Sequence, residues 1–178
     1  DVVKYDGNGS TQTISGLNFS PDLVWIKSRN NSDSWHTVAD TVRGLGSSGA
    51  YYRIFTNRTE SELNDGYDIT AITSTGFSLA NGDFANNASR TYVAWAWNAG
   101  TSTVSNPDGS ITSQVRANVS AGFSVVTWTG NGGTNATVGH GLGVAPQFIF
   151  AKWRGGASDW EGYHIGAGAT KVHHLNTT

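Results

Sequence analysis

Leu23-Val24-Trp25-Ile26-Lys27-Ser28-Arg29 alternates without a break: Leu23, Trp25, Lys27 and Arg29 on one side, Val24, Ile26 and Ser28 on the other. Period-2 alternation rich in β-branched and aromatic residues is the pattern of a strand. The pattern recurs as Phe148-Ile149-Phe150-Ala151-Lys152-Trp153-Arg154, where Phe148, Phe150, Lys152 and Arg154 repeat the first set. Both strings follow a proline, Pro21 and Pro146, at a constant offset of 125 residues that also relates Trp35 to Trp160.

Working outward, Tyr5-Asp6-Gly7-Asn8-Gly9 returns as Trp128-Thr129-Gly130-Asn131-Gly132, and Ile14 with Leu17 returns as Val138 with Leu142. The offset at the glycine turn is 123, which implies a small loop insertion near His140. Asn57-Arg58-Thr59 corresponds to Asn176-Thr177-Thr178. A repeat of this kind predicts one supersecondary unit written twice. The first copy continues for about forty residues that have no match in the second. They include Gly76-Phe77-Ser78-Leu79 and Tyr92-Val93-Ala94-Trp95-Ala96-Trp97. The second copy is therefore expected to be C-terminally incomplete, and finished either by a longer chain or by a neighbouring subunit.

The expected organisation is a first repeat over 1–98, a linker and connecting hairpin over 99–122, and a truncated second repeat over 123–178. Turns are marked by Asn64-Asp65-Gly66, Asn81-Gly82-Asp83 and Pro107-Asp108-Gly109, while Asn98 to Asn106 is rich in Gly, Ser and Thr. Only residues 58–64 suggest a short helical turn. Charged residues are 13% of the 178-residue chain, too few for helical bundles, and 23 glycines suit short strands and tight turns. Seven Trp, six Tyr and seven Phe supply a core, which excludes disorder.

A net charge of −2 gives no basic field for a polyanion, so nucleic acid is not an expected partner. No apolar run approaches the roughly 20 residues of a membrane-spanning helix. There is no cysteine, hence no disulfide and no thiolate metal site.

These segments resemble a domain that recurs in tandem in virion proteins of tailed phages, in tail-fibre and appendage proteins described as lectin-like or concanavalin A-like β-sandwiches. The residues that carry the resemblance include Tyr5–Gly9, Ile14–Leu17, Phe19–Lys27, Thr41–Gly44, Gly76–Leu79 and Tyr92–Trp97. Asn106–Ser113, Ala121–Val126 and Val138–Pro146 extend it over nearly the whole chain. The chain departs from the pattern at Ala96, where the family often carries a cysteine. The resemblance implies an all-β, antiparallel, jelly-roll-like sandwich and a structural role on a virion or extracellular surface. Partners would be further copies of the chain or other virion proteins, and the role extends to contact with host surface polysaccharide. It supplies no catalytic residues.

The residues themselves offer little chemistry. Glu60 with Glu62, Asp65 with Asp68, and Asp159 with Glu161 are the closest acid pairs, all in polar turn-like segments. His36, His140, His164, His173 and His174 form no triad or ligand spacing, and no Gly-x-Ser-x-Gly string occurs. The oxygen-rich loops Asp6–Gly9 and Asn81–Asn87 could hold calcium, but turn chemistry accounts for them. No enzyme activity, metal or cofactor is expected. The candidate contacts for a glycan are Trp35 and Trp160, flanked by polar residues, and the cations Lys27, Arg29, Lys152 and Arg154 of the two alternating strings. Alternative readings are a carbohydrate-binding adhesin and, third, a fragment of a polysaccharide depolymerase.

Overall fold

The structure, a computed structural model, describes residues 1–177, so Thr178, the last residue of the Asn176–Thr178 correspondence, lies outside it. Among the described residues there is no helix, and none long and apolar enough to cross a membrane. Residues 58–64, expected to turn helically, form no helical turn, and Leu63 instead bridges back to Arg53. Eight strands build the first unit: β1 (Val2–Asp6), β2 (Gln12–Ser15), β3 (Leu23–Ser28), β4 (Thr37–Asp40), β5 (Arg53–Phe55), β6 (Ile69–Thr73), β7 (Gly76–Leu79) and β8 (Thr91–Trp97). Six follow: β9 (Val104–Asn106), β10 (Ser113–Asn118), β11 (Phe123–Trp128), β12 (Phe148–Ala151), β13 (Glu161–His164) and β14 (His173–His174).

The first unit is an antiparallel sandwich. A five-stranded sheet in the order β1-β8-β3-β4-β5 lies against a three-stranded sheet in the order β2-β7-β6. Val24 and Ile26 of β3 and Tyr92, Ala94 and Ala96 of β8 meet Ile14, Phe77, Leu79 and Ile69 from the other sheet. These are the alternate positions that the sequence pattern sends to one face, and their burial is the main stabilising term. Two further three-stranded sheets follow, β11-β10-β9 and β12-β13-β14. The all-β antiparallel expectation holds for every sheet.

The order β12-β13-β14 repeats that of β3-β4-β5, with a difference that the sequence alignment hides. Val24 pairs with Ala39, whereas Ile149 pairs with Tyr163, so β4 and β13 are related by 124 residues although β3 and β12 are related by 125. The side-chain oxygen of Asn57 accepts the His36 backbone N–H at 2.9 Å, and that of Asn176 accepts the Trp160 N–H at 2.8 Å. Trp160 therefore occupies the station of His36, one residue on from Trp35. A one-residue slip sends a side chain to the opposite face of a sheet. The two tryptophans accordingly lie in different environments.

Polar hubs fasten the first unit. Asn86, fully buried, donates from Nδ2 to Asn8 Oδ1 at 3.2 Å and the Ala80 carbonyl at 3.0 Å, and its Oδ1 accepts the Asn8 N–H at 3.1 Å. It joins the two oxygen-rich loops flagged in the sequence, and its amide sits among the oxygens that a cation would need. A Cβ at Gly7 would overlap the Asn87 carbonyl oxygen and touch the Tyr92 ring, so glycine is required there. Arg53 pairs with buried Asp68 and reaches Asp65 at 2.6 Å, while Thr37 donates to Asp68 at 3.1 Å. Removing one member of a buried ion pair strands the other. Arg53→Ala should therefore lower unfolding stability by about 3–5 kcal/mol, measured by urea titration, with an unchanged fold in the fraction that remains native.

Candidate functional site

Trp35 precedes β4 and lies half-buried in an aromatic cluster at one end of the sandwich. Its ring stacks on Phe84 at 4.6 Å with planes 4° apart and meets the edge of Phe55 at 4.9 Å. The Arg58 guanidinium lies 4.5 Å from the ring centre. The surface that a sugar would stack on is thus already engaged by the protein's own groups.

Trp160 is a core residue. It enters β13 and packs with Val38, Ile54, Leu23 and Trp25 on the outer face of the five-stranded sheet, together with Phe150 and Leu175. Its indole N–H donates to the Phe55 carbonyl at 2.8 Å. At 6% exposure it has no surface to offer a glycan, and the sequence reading of Trp160 as a contact is corrected on that ground. Polar neighbours in the sequence misled, because Asp159 and Glu161 point to solvent or to Asn176 while the indole turns the other way.

The cation row is split between two tasks. Lys152 Nζ donates to the Thr59, Trp153 and Gly156 carbonyls at 3.1, 3.1 and 3.4 Å and to Ser158 Oγ at 3.2 Å. Arg154 grips Glu62 with two bonds of 2.9 and 2.8 Å, and the backbone of the same residues is joined by Glu62 N–H to the Arg154 carbonyl at 3.0 Å. Lys152 and Arg154 thus clasp residues 59–62 of the first unit. Lys27 donates to the Asn31 carbonyl at 3.0 Å and closes its own loop. Arg29 is exposed at the end of β3. Of the six sequence candidates, Trp35, Lys27 and Arg29 lie on or near the first unit's rim, and Trp160, Lys152 and Arg154 form the seam between units.

Two of the three acid pairs, Glu60 with Glu62 and Asp65 with Asp68, are held by arginines. Glu60 takes Arg58 at 2.8 Å, which holds its carboxyl below the ordinary range. Glu62 takes both Arg43 and Arg154, and Asp65 and Asp68 share Arg53. Burial of Asp68 raises its carboxyl above the ordinary range in spite of the Arg53 guanidinium beside it. His173 and His174 pair with Gly162 and Glu161, so their rings leave opposite faces of β14. Among the described residues no three His, Asp or Glu side chains converge as metal ligands.

Sequence reading missed Asp22. Its carboxylate, buried at the start of β3, accepts the Ala99 N–H at 2.7 Å and the Thr41 hydroxyl at 3.0 Å and lies 2.6 Å from the Arg116 guanidinium. Together with the stacking of Trp97 on Phe123 at 5.9 Å, it fixes β10 and β11 to the end of the sandwich. A single Asp in a turn gives no such signal, since its partner stands far along the chain.

The fold and this seam define an all-β protein whose conspicuous side chains connect its own parts. The chain belongs to the family described as a domain of unknown function, DUF7483, whose family model matches residues 1–178. No curated protein and no solved structure matches the chain.

Two outcomes follow from the seam and from its neighbour His36. Trp160→Ala should cost about 3–5 kcal/mol and speed hydrogen exchange in β12–β14 well before β3 and β8, read by exchange mass spectrometry. Burial, aided by the Lys27 charge, lowers the His36 pKa from 6.5 to about 4. The unfolded chain then binds this proton more readily, so the stability present above pH 6.5 is lost as pH falls toward 4. His36→Gln should flatten that part of a Tm-against-pH curve.

Proposed function

We propose that this chain is a non-catalytic structural module of a virion or other extracellular appendage, built from two copies of one β-sandwich repeat, the second incomplete, and that it self-assembles. The observation that carries this reading is the seam. The residues that would meet a ligand in a binding module, Trp160, Lys152 and Arg154, instead fasten the second repeat to the first. Three further features support it: the repeated strand order, the repeated Asn cap at β4 and β13, and carboxylates committed to arginines. Exposed sheet edges favour association with other chains.

The carbohydrate-binding reading stands second. It keeps Trp35, Lys27 and Arg29, the members of the original set that do not serve the seam. With the faces of the Trp35 ring engaged by Phe84 and Arg58, a sugar would meet only its half-exposed rim, with the exposed Arg58 and Arg29 cations available to acidic groups.

Size-exclusion chromatography with light scattering across the micromolar range separates the two. Self-assembly predicts a mass that is a multiple of one chain and falls on dilution. A strict monomer that binds an acidic polysaccharide on a glycan array, and loses that binding in Trp35→Ala, would replace the first reading with the second.

A further inference from the structure

Three Asn-Gly pairs stand in the sequence: Asn8-Gly9, Asn81-Gly82 and Asn131-Gly132. Such a pair carries its own electrophile and nucleophile, because glycine has no Cβ to keep its backbone nitrogen from the neighbouring side-chain amide. Whether the two groups meet depends on what else holds them. We propose that Asn131 is a site of spontaneous self-modification, converted through a cyclic imide to aspartate and isoaspartate, while the fold protects Asn8 and Asn81.

Asn8 and Asn131 sit in the same kind of turn. Asn8 Oδ1 accepts the Ser10 N–H at 2.8 Å, and Asn131 Oδ1 accepts the Gly133 N–H at 2.9 Å. Each side chain is thereby folded back over the backbone that follows it. Gly9 and Gly132 share the left-handed conformation, at φ +66° and +70°. The surroundings differ. The Gly9 N–H donates to the Asn86 carbonyl at 2.9 Å, and Asn86 Nδ2 donates to Asn8 Oδ1 at 3.2 Å. One buried residue therefore holds both the nucleophile and the electrophile of the first pair. At the other site every residue from Trp128 to Thr137 is exposed, and nothing lies within 4 Å of a Cβ position at Gly130 or Gly132. Among the described residues the Gly132 N–H has no acceptor. Its nitrogen and the Asn131 amide are free to approach each other with water at hand.

Asn81 is restrained by packing. Gly82 is buried, with Asp68 Oδ1 2.5 Å from where its Cβ would stand, and its carbonyl accepts the Asn86 N–H at 2.8 Å. On the other side of Asn81, the Ala80 N–H donates to the Asp68 carbonyl at 2.8 Å. Turning this peptide far enough to react requires local opening around Asp68.

Solvent supplies all that the reaction needs. Hydroxide takes the proton of the Gly132 N–H, the nitrogen attacks Cγ of Asn131, and the Cγ–Nδ2 bond breaks as ammonia leaves with a proton from water. Water then opens the imide. Addition at Cγ gives aspartate; addition at the Asn131 main-chain carbonyl carbon gives isoaspartate, whose main chain runs through Cβ and Cγ. Either product adds a negative charge to a chain of net charge −2, and isoaspartate also lengthens the turn that leaves β11.

The whole chain, incubated for days at mildly alkaline pH, is cleaved with trypsin and read by mass spectrometry with fragmentation that separates aspartate from isoaspartate. Residues 5–27, 59–90 and 117–152 form separate tryptic peptides, each with one of the three pairs. Conversion at Asn131 should run roughly tenfold or more faster than at Asn8 or Asn81, accelerate with pH and yield both products. In concentrated urea the three rates should converge, because only the dipeptides then remain. Asn131→Gln, whose longer side chain closes the ring less readily, should leave position 131 unconverted. Comparable rates at Asn8 and Asn131 in the folded chain overturn the proposal, as does an advantage of Asn131 that persists in urea. Aspartate formed without isoaspartate, or conversion that survives Asn131→Gln, overturns it as well.

Discussion

β4 is buried at all four of its positions because the sheet that contains it is covered on both sides. Thr37 and Ala39 face the sandwich interior, and Val38 lies under Trp160 with Ile54. Everything distinctive in the chain follows from this double coverage. An antiparallel sheet ordinarily leaves one face to water. Here the outer face of β3, β4 and β5 carries Leu23, Trp25, Val38 and Ile54, and β12–β14 with Trp160 form its cover. The hydrophobic area so removed from water is what makes the second region more than a tail.

Charge is spent in the same cause. Arginines are few in this chain, and most are committed. Arg53 neutralises Asp68 inside the sandwich, Arg116 meets Asp22 beneath the β9–β11 sheet, and Arg154 meets Glu62 across the seam. Arg43 holds Asp40 and Glu62 from the other side. Guanidinium groups suit this work because they present several donors in a fixed plane. A chain with so little charge, placed so largely against itself, offers a surface of amides, hydroxyls and unpaired strand edges. Such a surface associates through backbone and shape more readily than through fields.

Where residues 123–177 parallel the first unit, the parallel is closest in the backbone and least close in what the side chains do. The glycine turn, the strand order and the Asn cap recur. Yet Lys27 closes a local loop whereas Lys152 reaches into the other unit, and the Trp35 cluster has no counterpart. Paired residues of β12 and β13 stand one position closer along the chain than those of β3 and β4, and Trp160 lies on the outer face, where it anchors the seam.

Strand identity was legible in the sequence, because period-2 alternation in Leu23–Arg29 and Tyr92–Trp97 expresses a local geometry that each residue carries with it. The recurrence of Pro, Lys, Arg and Asn at fixed offsets was legible for the same reason. The sandwich class was what the resemblance implied. Which face each tryptophan occupies was not legible, since it depends on a pairing register between strands that a one-residue offset reverses and that matching letters at fixed spacing does not register. Nor was the fate of Lys152, Arg154 and Asp22, whose partners lie distant in the chain and close only in space. Local periodicity wrote the elements. The pairing of outer faces, a matter of which apolar surfaces find each other once the strands exist, decided that Trp160, Lys152 and Arg154 became internal joints.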